Sequence, residues 1–208
     1  ATNPQAWFHQ RPITLPSIRP RAGSVTRCIF FDCCQETDGG VAVVVTSLER
    51  AQDLPHRPAV IAAAAQGSGR DQYVMTSYYR DDLTTLPSSG WSPGSCGRSP
   101  VWVRAILTWP CCTTTSPVRA GPAGGAGPVR ARRGGSFVAD GNVELTGSLP
   151  LNPHGGQLGE AYLHGMNGIS EAVRQLRGTA ANQVPDAARV LVTAGTGVPT
   201  SALVLTHP

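Results

Sequence analysis

Apolar and polar positions keep a regular rhythm over only part of this chain. Val41–Thr46 is an unbroken, β-branched run behind Gly39 and Gly40, the pattern of a strand covered on both faces. Ala59–Ala65 is a second apolar run, closed by Gly67 and Gly69, and Gln72–Arg80 is a polar and aromatic segment. Over Gln157–Arg177 the residues Leu158, Ala161, Tyr162, Met166, Ile169, Val173 and Leu176 recur at helical spacing. That spacing predicts one long helix with an apolar face on the sheet. Arg174 and Arg177 in its last turn suit the helix dipole, and Gly178 follows as a left-handed cap. Arg189–Ala194 and Ala202–Thr206 read as two strands, and the short Gly195–Ser201 link between them predicts a hairpin. Strands alternating with a helix predict an α/β layered fold.

Two windows break the rhythm. Residues 14–31 carry three Arg and no acid, and residues 88–136 carry six Arg and no acid. The second window also holds three of the four Trp, three of the six Cys, and 15 residues that are Gly or Pro. Loops beyond about 15 residues are uncommon in a compact domain, so a simple surface loop is a poor account of it. All 17 basic residues are Arg, and the net charge is +4. That charge sits in the two windows and the remainder is net acidic, so no nucleic-acid partner is expected. With 40% hydrophobic and 14% charged residues, the 208-residue chain is long and apolar enough for one good core or two small ones. No run approaches the ~18 apolar residues of a membrane span, and ATNPQAWFHQ lacks the basic-then-apolar order of a signal peptide. Cys33–Cys34 and Cys111–Cys112 are adjacent pairs, and with Cys28 and Cys96 they give no zinc spacing. They read as reduced thiols of a cytoplasmic protein. Gly195-Thr-Gly197 lacks the rest of a dinucleotide fingerprint and lies between two strands, which argues against nucleotide binding.

Asn152-Pro-His-Gly-Gly, the helical segment after it and LVTAGTGVPTSALVL resemble the C-terminal end of the thiolase superfamily. The closer resemblance is to its bacterial lipid-transfer or sterol-carrier-protein-X thiolase-like branch, which includes actinobacterial aldolases that trim steroid side chains. DCCQETDGGVAVVVTS and DQYVMTSYYRDD extend the likeness, which covers residues 1–13, 32–87 and 137–208. It implies an α/β, thiolase-like layered fold, C-terminal half only, with a mixed sheet and a buried helix. Residues 1–31 would then be the end of the first half and a linker, and residues 32–208 the C-terminal-type domain. The chain begins without Met and reads as mid-domain sequence, which fits a fragment of a two-half enzyme. The likeness stops in windows 14–31 and 88–136, as it would if these were translated out of frame. Ala105–Ala120 can be encoded so that the same nucleotides, read two positions later, contain an apolar run ending in Tyr-Asp-His-Phe, like the family's strand and active-site loop. Residues 88–136 are then expected to pack poorly. The family's second catalytic tyrosine would fall at Cys112–Thr113 and is absent from this chain.

True thiolases carry a His six residues after the Gly-Gly pair, where this chain has Tyr162, and a second Cys where it has Thr193-Ala194. The resemblance therefore implies the aldolase branch, which uses tyrosines, and not Claisen chemistry. Retro-aldol cleavage needs a base for a β-hydroxyl proton and donors for the developing thioester enolate. Tyr162 is the catalytic candidate, and its phenol, ordinarily near pKa 10, needs a polarising site to act near neutrality. Its alternative role is a core tyrosine on the helix's apolar face. His154 is the second candidate, orienting substrate or holding a water, against a simple loop-capping role. Asn152, Gly155, Gly156, Gly195 and Gly197 are the expected substrate-binding positions, with the Gly155 and Gly156 amides at a helix N-terminus as donors to the thioester oxygen. His164, beside Gly165, reads as structural. The implied substrate is a steroid or branched-chain acyl-CoA, with coenzyme A thioester as substrate and no resident cofactor or metal. The implied partners are a second copy in a homodimer and a small OB-fold/zinc-ribbon protein. Two other functions fit the same resemblance: an acetyl-CoA acyltransferase of the sterol-carrier type, and a non-enzymatic lipid-transfer protein, which should show a closed apolar tunnel.

Overall fold

Strands Ala187–Ala194 and Thr200–Thr206 are the heart of the sheet because both carry apolar residues on both faces. The computed structural model describes residues 2–11, 36–67, 114–119, 134–194 and 200–208. Along these run α1 (Leu48–Gln52), β1 (Val60–Gly67), β2 (Thr114–Arg119), α2 (Gly134–Ala139), α3 (Gly156–Gly159), α4 (Met166–Arg177), β3 (Ala187–Ala194) and β4 (Thr200–Thr206). The sheet order is β1-β4-β3-β2. Every pairing in it is antiparallel, from Val60 opposite Thr206 on one side to Thr114 opposite Thr193 on the other. The expected α/β layering is present. The sheet differs from the mixed one expected, since all described pairs run antiparallel. The short β3–β4 link is the clearest cause, because parallel neighbours need a crossover of a dozen or more residues.

One face of the sheet receives α4. Val190 and Val192 of β3 and Leu205 of β4 pack with Ala172 and Leu176 of the helix, and Ile169 and Val173 close the cluster from its edge. Leu191 and Val204 point to the other face and are equally buried. That period-two alternation is what a two-sided central strand requires. β2 is an edge strand, which is where a proline such as Pro117, with no N–H to donate to a ladder, is tolerated.

Three expectations are corrected. The single helix over 157–177 is two, α3 and α4, broken across residues 160–165. His164 and Gly165 have φ +51° and +87°, and a right-handed helix cannot run through left-handed backbone. Val41–Thr46 is neither strand nor buried: Val43, Val44 and Val45 are 44%, 89% and 75% exposed. An unbroken β-branched run is buried only where neighbouring strands cover it, and among the described residues none pairs with it. Within window 88–136, residues 114–119 form a paired strand and residues 134–139 a helix rather than unpatterned chain. The rest of that window, residues 14–31, the Gln72–Arg80 segment, and Gly195 with Gly197 lie outside the described residues. The 195–201 hairpin is supported by its flanking register, Ala194 opposite Ser201.

Candidate active site

The Asn152-Pro-His-Gly turn is fixed from three directions. Within it, the Gly155 N–H donates to the Asn152 carbonyl at 2.9 Å. From the N-terminal segment, Asn3 Nδ2 donates to the His154 carbonyl at 2.8 Å, and from beyond α4, Asn182 Nδ2 donates to the Pro153 carbonyl at 2.7 Å. The turn needs its glycines. Gly155 sits at φ +113°, and a Cβ there would lie 3.2 Å from the Glu160 nitrogen. Gly155→Ala is expected to cost about 1–3 kcal/mol, read as a lower urea midpoint, because it combines forbidden backbone with a backbone clash. The Gly155 amide closes this turn instead of standing open as a donor.

The turn delivers the chain into α3 and then into loop 160–165, which carries Tyr162. This loop is also clamped. Asn167 Nδ2 donates to the Ala161 carbonyl at 3.0 Å and reaches Glu160 Oε2 at 3.4 Å. The Gly165 N–H donates to Gln157 Oε1 at 3.1 Å, and the Tyr162 N–H donates to Thr37 Oγ1 at 3.3 Å. Trp7 and Phe8 N–H groups donate to the Glu160 and Gly159 carbonyls. Tyr162 is half-buried, and its ring tilts at 57° against His164 with centroids 4.8 Å apart.

His164 opens onto a cavity of about 470 Å³ at the ends of β1, β3 and β4. Ala64, Met166, Ile169, Val192, Ala202 and Leu203 give it apolar walls, while His164, Thr193, Ser201 and Gln66 supply polar groups. A largely apolar cavity with a few converging polar groups is the usual form of a small-molecule site. The first turn of α4 borders the same space through Gly165 and Met166, so the positive end of its dipole favours an anion there.

Behind the loop lies a buried polar layer that the apolar periodicity does not reveal. Asn167, Glu171 and Gln175 occupy one stripe of α4 and are each only 2% exposed. Gln175 Nε2 donates to Glu171 Oε1 at 2.7 Å and to the Asn182 carbonyl at 2.8 Å, and its Oε1 accepts the Val184 N–H at 2.9 Å. Arg174 reaches Glu160 Oε1 at 3.5 Å and Glu171 Oε2 at 4.0 Å. Burial pushes Glu171 up to about 7, against the lowering effect of the Gln175 hydrogen bond. Burial raises Glu160 as well, with Asn167 and Arg174 opposing it. His154 belongs to this layer. It is 2% exposed, with Nε2 3.8 Å from Glu160 Oε2. Burial first and the Arg174 charge second lower its pKa from 6.5 to about 4, so it is neutral at physiological pH.

The structure thus gathers Asn152, Gly155 and Gly156 in one turn, sets the Tyr162 ring against His164 at the cavity wall, and seals His154 in the buried polar layer. Glu160, Asn167, Glu171 and His164 were not singled out as site residues. The spacing of Asn167, Glu171 and Gln175 at four-residue steps is the signal that could have revealed the polar stripe.

Comparison with known proteins gives this arrangement its relatives. Residues 122–206 match the family described as thiolase C-terminal domain-like. The chain is 52% identical over 209 residues to a steroid side-chain-cleaving aldolase of Thermomonospora curvata, covering 99% of this chain and 53% of the relative. It is 49% identical over 211 residues to a 17-hydroxy-3-oxo-4-pregnene-20-carboxyl-CoA lyase of Mycobacterium tuberculosis, with 99% and 53% covered. Among solved structures it is similar to an Ltp2-ChsH2(DUF35) aldolase, with TM-score 0.76 and 46% identity over 100% of this chain and 55% of that one. The chain therefore spans about half the length of the curated relatives it matches. The thiolase-like resemblance read from the Asn152–Gly156 motif and the C-terminal strands is borne out. No helix among the described residues is long and apolar enough to cross a membrane.

Proposed function

We propose that this chain forms the C-terminal half of a retro-aldolase that cleaves a steroid or branched-chain β-hydroxyacyl-CoA in sterol catabolism. The carrying observation is Tyr162, on a loop clamped at both ends, its ring tilted against a residue that lines a largely apolar cavity. Tyr162 takes the β-hydroxyl proton as the bond between the α- and β-carbons breaks, leaving a ketone and a thioester enolate. The enolate oxygen is stabilised at the positive end of α4. Asn152, Gly155 and Gly156 hold the turn that sets the loop, and Gly195 and Gly197 are the remaining substrate-binding candidates. His154 acts from behind as a neutral packing partner of Glu160. The reaction belongs in the cytoplasm, where CoA thioesters are made and used. A homodimer and a small OB-fold/zinc-ribbon partner complete the assembly; the name of the two-component Ltp2-ChsH2(DUF35) structural relative supports such a partner.

The cavity's Gln66, His164, Thr193 and Ser201 favour this reading over a lipid carrier, which has no use for them. Acyl transfer of the thiolase kind is disfavoured because Tyr162 and Thr193-Ala194 stand at the His and Cys positions. The test is complementation. The chain, with windows 14–31 and 88–136 restored to the alternative frame, is co-expressed with the N-terminal half of the Thermomonospora curvata aldolase, and the purified complex is given a β-hydroxy steroid-CoA thioester. Mass spectrometry should find a steroid ketone and a shortened acyl-CoA in equal amounts. Neither product, or acyl transfer to added CoA, would overturn the reading.

A further inference from the structure

A phenol that accepts a substrate proton near neutral pH must pass its own proton on. The group that receives it must lie beside Tyr162, stay open to the site and be able to return the proton to the α-carbon of the departing thioester. Two histidines flank the loop. His154 is sealed at 2% exposure, with its Nδ1 unpartnered among the described residues and its Nε2 turned to Glu160. It has no path to substrate. His164 is exposed, lines the cavity together with Thr193 and Ser201, and lies against the Tyr162 ring at 4.8 Å. Its backbone is at φ +51°, in the left-handed region that non-glycine residues uncommonly adopt, histidine more readily than most. The Gly165 N–H bond to Gln157 and the Asn167 bond to the Ala161 carbonyl hold the loop in that shape. Strain kept at a cavity wall, on a titratable side chain, is the kind of outlier that points to chemistry.

We propose that His164 is a catalytic residue that carries the proton between the two halves of the cleavage. This rests on the retro-aldolase reading. The substrate O–H bond breaks toward the Tyr162 oxygen while the phenolic proton passes to the His164 imidazole. The oxygen's electron pair forms the ketone, the bond between the α- and β-carbons breaks, and its electron pair enters the thioester enolate. The imidazolium then gives its proton back through Tyr162 to the α-carbon. The protons balance, and no further reactant is needed.

The test uses the complemented complex and His164→Asn, chosen because asparagine tolerates left-handed backbone. His164→Gln is the second variant. Three quantities are measured: cleavage rate, deuterium uptake from D₂O at the α-carbon of the product thioester, and affinity for a substrate analogue lacking the β-hydroxyl. The expected result is a loss of about 10²–10⁴ in both cleavage and deuterium uptake, with analogue affinity unchanged. Added free imidazole should restore part of both rates, which a purely structural histidine would not allow. Wild-type rates in both variants would overturn the inference and leave the retro-aldolase reading standing. So would a joint loss of rate and affinity without imidazole rescue. A wild-type complex that neither cleaves nor exchanges would overturn both.

Discussion

Tyr162→Phe in the complemented complex lowers kcat for thioester cleavage by about 10²–10⁴ and leaves stability unchanged. The substitution is narrow. The backbone N–H bond to Thr37 does not involve the side chain, and the ring contact with His164 survives in phenylalanine. Only the hydroxyl that transfers the proton is lost. If binding of the deoxy analogue holds while turnover collapses, the hydroxyl acts in the transition state and not in ground-state binding. An unchanged rate would return Tyr162 to a packing role. The same experiment without the complementing half should show almost no turnover in either protein. A catalytic group must be held within about 0.5 Å of its working geometry, and the chain spans about half the length of its curated relatives.

The pattern along the chain marked β3, β4 and the apolar face of α4 well, because burial against neighbouring elements leaves its trace in the sequence, while β1 showed only as an unbroken apolar run. Ile169, Val173 and Leu176 do pack toward the sheet. The break at 160–165 was masked because Ala161, Tyr162 and Met166 happen to keep helical spacing across it. What keeps α3 and α4 from joining is left-handed backbone at His164 and Gly165, just before α4 begins, which hydrophobicity does not report. Val41–Thr46 misled for a different reason: its composition says strand, but burial depends on what lies beside it. At the site, motif resemblance picked out Tyr162 and His154 by position alone and could not tell which faces the cavity. Distance and burial separate them, sending His154 into the polar layer and bringing His164 forward. The four-residue spacing of Asn167, Glu171 and Gln175 marks the stripe, but that it is buried shows only where Asn182, Gln183 and Val184 pack over it.

That layer makes the last prediction. The pH dependence of stability should be shallow in the native chain and steep in Glu171→Gln. His154 titrates at about 4 when folded and 6.5 ordinarily, so between those values the unfolded chain binds a proton the fold refuses. Its contribution is complete above pH 6.5 and is lost as pH falls toward 4, an effect of about 3 kcal/mol. Glu171 runs the other way. Its folded value is about 7 against 4.5 ordinarily, so between those the fold keeps a proton the unfolded chain releases. Its contribution is complete below pH 4.5 and is lost as pH rises through 7, again by about 3 kcal/mol. Glu160, raised by burial too, adds to the Glu171 direction, and Arg174 beside both carboxylates limits each shift. Over the shared range the slopes oppose each other and nearly cancel. Glu171→Gln keeps an oxygen for the Gln175 amide and removes one of the two slopes. The variant should therefore be more stable than the native chain above pH 7 and should lose stability steadily from pH 6.5 down to 4. Urea midpoints at half-unit pH steps measure this directly. Parallel curves for the two proteins would mean that Glu171 is ionised in the fold and that Arg174, not burial, sets its charge.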